Sequence, residues 1–134
     1  MARHILAEER IHPGVRAKVS ESHADIVREV EDAVRANRVV VVGMKQNPVV
    51  KQARKALAVA GVAHAYLEYG SYFNTWRRRN ALKMWTGWPT FPMIFVGGML
   101  VGGAQELDRL IASGELARLA GDRGDEPAGA ASPR

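Results

Sequence analysis

The stretch Trp88-Pro89-Thr90-Phe91-Pro92-Met93-Ile94-Phe95-Val96-Gly97-Gly98-Met99-Leu100-Val101-Gly102-Gly103 carries the fold. Two prolines within four residues end whatever helix precedes them, because proline lacks an amide hydrogen and its ring clashes with a continuing helix. Met93 to Val96 and Met99 to Val101 are short apolar runs, and Gly97-Gly98 between them supplies the positive φ that a tight hairpin needs. Gly102-Gly103 then leads into an amphipathic run from Gln105 to about Leu119, interrupted at Ser113-Gly114. The stretch therefore reads as an antiparallel hairpin delivering the chain into a helix.

Upstream, the pattern is of a different kind. Val39-Val40-Val41-Val42 is a β-branched run apolar on both faces, as a central strand covered on both sides requires. After Met44-Lys45-Gln46-Asn47, Pro48 suits the first turn of a helix, where a missing amide hydrogen costs nothing. That helix should run from Pro48 to Ala60, with Val50, Ala53, Leu57 and Ala60 inward, and end at Gly61. His64 to Tyr69 reads as a second strand, parallel to the first by way of a right-handed crossover. A helix from Ser22 to about Asn37, with Ile26, Val27, Val30 and Val34 on one face, precedes this unit, and one from Asn74 to Trp85 follows it. Ser22 suits the N-cap of the earlier helix. The order α-βαβ-α-ββ-α predicts an α/β protein: a four-stranded mixed sheet flanked by helices, with thioredoxin-type topology.

Composition sets the outer limits. With 134 residues, 47% of them hydrophobic, the chain has room for one core and no second domain. Residues 1–21, mixed in charge around His12-Pro13-Gly14, read as an N-terminal arm, residues 22–120 as the domain, and residues 121–134 by composition as a disordered tail. No apolar stretch approaches the roughly 18 residues that span a bilayer, and Met1 to Arg10 lacks an apolar signal core, so cytoplasmic residence is the expectation. The four histidines, His4, His12, His23 and His64, show no metal-ligand spacing, and no metal is expected. Above all there is no cysteine, which excludes disulfides, thiolate metal sites and thiol nucleophiles together. Residues 37–105 hold nine Lys/Arg against the single acid Glu68, a surplus that suggests an anionic partner.

Trp88-Pro89-Thr90-Phe91-Pro92, followed by Phe95-Val96-Gly97-Gly98 and Leu100-Val101-Gly102-Gly103, resembles the glutaredoxin family, and the Trp-Pro before Thr-Phe-Pro is similar to its monothiol branch. The likeness spans about Asp25 to Leu119. It implies a cis Pro92 and a groove for glutathione: Lys45, Arg79 and Lys83 near the glycine carboxylate, Thr90 and Phe91 pairing with the ligand backbone, and Gly103, Ala104 and Gln105 at the γ-glutamyl carboxylate. Family members carry Cys-Pro-x-Cys or Cys-Gly-Phe-Ser after the first strand. Here Asn47-Pro48-Val49-Val50 stands in its place, and an asparagine amide can neither ionise to a nucleophile nor form a mixed disulfide. Where relatives have Asp to grip the ligand's ammonium group, this chain has Gln105.

The expectation is thus a noncatalytic module that binds glutathione or a partner protein, in redox or iron–sulfur related processes. The alternative is a glutathione-dependent oxidoreductase or transferase that activates the thiol of the bound tripeptide. No iron–sulfur cluster is expected, because the thiolate it needs is missing. Nucleic acid ranks below glutathione as a partner, since Arg77, Arg78 and Arg79 on consecutive helical positions point about 100° apart and make no single stripe. Nothing in the sequence sets the oligomeric state.

Overall fold

Strand β1 (Val39–Gly43) is buried along its whole length, and its alternating side chains divide the interior in two. Val40 and Val42 face one layer and Val39 and Val41 the other, as the two-residue period of a strand dictates. In the computed structural model, which describes residues 3–21, 24–70 and 76–122, β1 lies between β2 (Ala65–Glu68) and β3 (Met93–Val96), with β4 (Met99–Gly102) beyond β3. The sheet order is β2-β1-β3-β4. β1 runs parallel to β2, pairing Val40 with Ala65, and antiparallel to β3, pairing Val42 with Met93. β3 and β4 are antiparallel, with an irregularity at Ile94/Phe95. This is the expected thioredoxin-like arrangement, a four-stranded mixed sheet flanked by helices.

One face packs against α2 (Ala24–Ala36) and α4 (Trp76–Thr86): Ile26, Val30, Ala81 and Leu82 join Val40, Val42, Met93 and Phe95. The other packs against α3 (Pro48–Val59), α5 (Ala104–Ser113) and α6 (Glu115–Asp122), through Val50, Ala53, Leu57, Leu107 and Leu116 against Val39, Val41, Ile94 and Val96. Burying each such aliphatic side chain contributes about 1.5–3 kcal/mol, so the helices are held by their apolar stripes rather than by propensity.

Helix ends follow local chemistry. Asn37 donates both its backbone N–H and its side-chain Nδ2 to the Ala33 carbonyl (3.0 and 2.9 Å), closing α2. α3 ends in a Schellman motif: with Gly61 at φ 76°, Val62 N–H reaches the Leu57 carbonyl (2.9 Å) and Gly61 N–H that of Ala58 (3.0 Å). Because the helix stops at Val59, Ala60 is the C-cap and lies exposed, not inward. Gly114, at φ 81°, separates α5 from α6, which is the interruption read at Ser113-Gly114.

Two boundaries differ from the sequence reading. The arm contains a 3-10 turn (Glu8–Arg10) and a helix, α1 (Pro13–Glu21), whose weak amphipathic pattern hid it. Its Arg3 guanidinium donates to the Thr86 and Trp85 carbonyls (2.7 and 3.3 Å), a cation at the negative end of α4. At the other terminus α6 continues to Asp122, past the expected boundary at residue 120. Ser22, the expected N-cap, and residues 123–134 of the expected tail lie outside the described residues.

Candidate functional site

The topology brings four chain segments to one end of the sheet. β1 and β2 are parallel, so Met44 to Asn47 and Tyr69-Gly70 leave from the same end; β3 is antiparallel to β1, so Phe91-Pro92 arrive there; and β4 returns, so Gly102-Gly103 leave there. Helices α3 and α5 therefore start at this end with their positive poles towards it.

The first two segments are tied together beyond their strands. Tyr69 N–H donates to the Gly43 carbonyl (2.8 Å) and Lys45 N–H to that of Gly70 (2.7 Å), extending the β1-β2 ladder into the loop. Gln46 turns the loop at φ 64°, in the left-handed region. Asn47 then caps α3, its Oδ1 accepting from the amides of Val49 (2.8 Å) and Val50 (3.2 Å), with Pro48 in the first turn. The Lys45 side chain is exposed.

Arg79 is the one charged side chain buried among the described residues, at 6% exposure, and its Nη1 donates to the Tyr69 carbonyl (3.4 Å). Helical rotation turns its neighbour Arg78 the other way, to pair with Asp25 of α2 at 2.8 Å. One turn after Arg79, the Lys83 ammonium stands 5.8 Å from the centroid of the Phe91 ring, within reach of a cation–π attraction. The Phe91-Pro92 peptide is cis. Phe91 and Pro92 are buried and Thr90 is exposed. A Cβ placed on Gly103 would stand 3.4 Å from the Pro92 carbonyl oxygen and 3.6 Å from Trp88 Nε1, so the cis loop lies directly against the start of α5. Ala104 is half-buried and Gln105 exposed.

The sequence-predicted positions thus occupy the converging segments or the adjoining face of α4. Lys45 and Arg79 attach to the end of β2, Lys83 covers Phe91, and Gly103 to Gln105 begin α5. Sequence reading missed Glu106. Its carboxylate folds back to accept the Gly103 N–H (3.0 Å), which holds its pKa below the usual carboxylate value, with a smaller pull from Arg109. A glycine followed three residues later by glutamate was the available signal. Also missed was Tyr69, whose hydroxyl donates to Glu29 at 2.5 Å and is pushed well above the phenol range, first by burial and then by that carboxylate. Trp88 Nε1 is buried without a hydrogen-bond partner among the described residues.

The opposite end of the sheet has another character. A cavity of about 570 Å³ there is lined by Val39, Val62, Ala117 and Ala120 with Arg38 and His64. His64 accepts from Arg54 Nε (3.2 Å), and burial followed by the arginine's charge holds the imidazole below its usual pKa. The same guanidinium lies 4.1 Å over the Tyr66 ring, and the Tyr66 hydroxyl is pushed up to about 12 by burial and its bond to Glu68.

No protein-family profile matches the chain. It is, however, 46% identical over 98 residues to a glutaredoxin-like protein of Dictyostelium discoideum, a match covering 73% of this chain and 80% of that one. The chain belongs to the glutaredoxin family. A probable monothiol glutaredoxin 2 of Rickettsia prowazekii is 29% identical over 96 residues, covering 69% of this glutaredoxin-like chain and 89% of the relative. Among solved structures, the buckwheat glutaredoxin–glutathione complex superposes with a TM-score of 0.67 at 20% identity, covering 78% of this chain and 94% of that one, which establishes the shared fold. Within that fold the chain is a glutaredoxin-like protein without a cysteine: the cap of α3 is an asparagine whose side-chain oxygen already holds two of the helix's first amides.

Proposed function

We propose that this glutaredoxin-like protein is a binding module without thiol chemistry, its groove taking glutathione or an extended acidic segment of a partner protein in redox or iron–sulfur related processes. The observation that carries this reading is the contrast at one end of the sheet between the cations Lys45, Arg79 and Lys83 and an inert α3 cap. Lys45, Arg79 and Lys83 offer charge to a carboxylate at one side. The backbone of Thr90 and Phe91 beside the cis Pro92 offers strand-like pairing, and the start of α5, at Ala104 and Gln105 beside the Gly103 amide that Glu106 holds, offers amides to a second carboxylate. Glutathione, with a carboxylate at each end of an extended backbone, matches that donor set.

Asn47 supports the noncatalytic part. An amide side chain cannot attack a disulfide, and its Oδ1 engages the Val49 and Val50 amides that could otherwise stabilise a thiolate. The same occupation argues against activation of a bound guest's thiol, the alternative enzymatic reading. A thiolate-held iron–sulfur cluster lacks its protein ligand here.

Calorimetry and NMR titration with reduced glutathione test the proposal. Expected are measurable heat and chemical-shift changes at Lys45, Arg79, Lys83, Phe91 and Gly103 to Gln105, with disulfide-reduction and transferase rates equal to buffer. No heat and no shifts at millimolar ligand would remove glutathione as the guest. Turnover above buffer would remove the noncatalytic reading.

A further inference from the structure

The groove does not absorb the whole positive surplus of residues 37–105. Of the nine Lys/Arg there, Lys51, Arg54 and Lys55 stand on α3, whose 12 residues include no acid. At about 100° per residue the three share an exposed arc that excludes the buried Ala53 and Leu57. Arg54 is held in place: its Nε donates to His64 Nε2 at 3.2 Å and its guanidinium lies 4.1 Å over the Tyr66 ring, which leaves both Nη groups for a further acceptor. None of the three cations forms an ion pair among the described residues. Two acids border this surface without neutralising it. Glu68 accepts from the Tyr66 hydroxyl at 3.0 Å, and Asp108 lines a cavity beside Lys55 without pairing to it. Neutralisation of the arc is left to another molecule.

An extended chain fits the spacing. Lys51 and Lys55 are about 6 Å apart along the helix axis, close to the roughly 6.6 Å between alternate residues of a strand, and the Arg54 fork suits a further carboxylate. A nucleic acid fits less well, because Tyr66, the aromatic ring of this surface, has Arg54 over its face and is not open for base stacking. We propose that the outer face of α3, with Tyr66 of β2, docks an extended acidic segment of a partner protein that carries carboxylates on alternate residues. This surface is separate from the groove and stands whether or not glutathione binds. The test is an NMR titration of the full chain with an acetylated and amidated hexaglutamate peptide. Expected are shift changes at Lys51, Arg54, Lys55 and Tyr66 that persist in millimolar glutathione, and an affinity that falls as salt is raised. A double variant, Lys51→Glu with Lys55→Glu, at exposed positions that leave the fold intact, should lose about tenfold or more in affinity. Shifts confined to Lys45, Phe91 and Gln105 would place the peptide in the groove, overturning this inference while supporting the groove reading. No shifts on α3, an unchanged affinity in the double variant, or tighter binding of an oligothymidylate of equal charge would overturn it as well.

Discussion

The helices α3 and α5 both start at the same end of the sheet, and they satisfy their first turns by opposite means. At α3 a side chain from outside the helix does so: Asn47 Oδ1 accepts two amides, and Val50 is pressed against Gly43 so closely that an added Cβ there would lie 2.7 Å from both of its γ-carbons. At α5 the cap is Gly103, which has no side chain, and Glu106 reaches back from within the helix to the Gly103 amide. The start of α3 is closed by a neutral amide oxygen, whereas that of α5 is held by a carboxylate that protonation can release. In a glutaredoxin fold without a thiol, the α3 end is thus capped by a group that does not titrate and the α5 end by one that does.

Gly43→Ala should break this contrast most severely. Val50 is β-branched, 2% exposed and fixed on its helix, so it cannot yield cheaply. Overpacking should cost about 1–3 kcal/mol, read as a lower denaturation midpoint with an unchanged m-value. Asn47→Ala comes next: removing the cap should cost about 1 kcal/mol. Asn47→Cys should lose similar stability while raising disulfide-exchange activity above buffer, and an inert Cys variant would show that the α3 end lacks more than a sulfur. A smaller effect concerns pH. Because the folded state lowers the pKa of Glu106, its contribution to stability is complete above the unfolded carboxylate value and is lost as pH falls through the depressed one. Glu106→Gln should therefore flatten the acid limb of stability below the ordinary carboxylate range, measured by denaturation at a series of pH values. Gly103→Ala should do least, within about 0.5 kcal/mol: its φ of −112° suits any residue, and the nearest atom to the new Cβ would be 3.4 Å away. A loss as large as that at Gly43 would mean that the α5 end is as rigid a joint as the α3 end.

Much of this was readable residue by residue. The four valines of β1, Pro48 after Asn47, Gly61 and Gly114 at helix ends, and the Gly97-Gly98 turn all act over a few positions, and each sits in the element its chemistry predicts. The cis Pro92 was legible through family likeness alone, since the local physics also allows a trans edge strand. Helix α1 escaped because its amphipathic pattern is weak: Val15 and Val19, one turn apart, have too few apolar neighbours to make a stripe and remain exposed. Consecutive arginines concealed a sharp division of roles, one buried at the end of β2 and the next ion-paired on the surface. Spacing along a helix gives directions but not which direction meets the sheet.

By itself the amino-acid sequence determined that no sulfur nucleophile exists, that a hairpin feeds a helix through paired glycines, and that positive charge gathers in the middle of the chain, because composition and short-range conformational preference need no partner. Tertiary structure alone decided that Arg79 is buried, that Glu29 takes the Tyr69 hydroxyl, and that Arg3 crosses to the end of α4. Those outcomes depend on segments up to 83 positions apart meeting in space, and only the packed sheet brings them into contact.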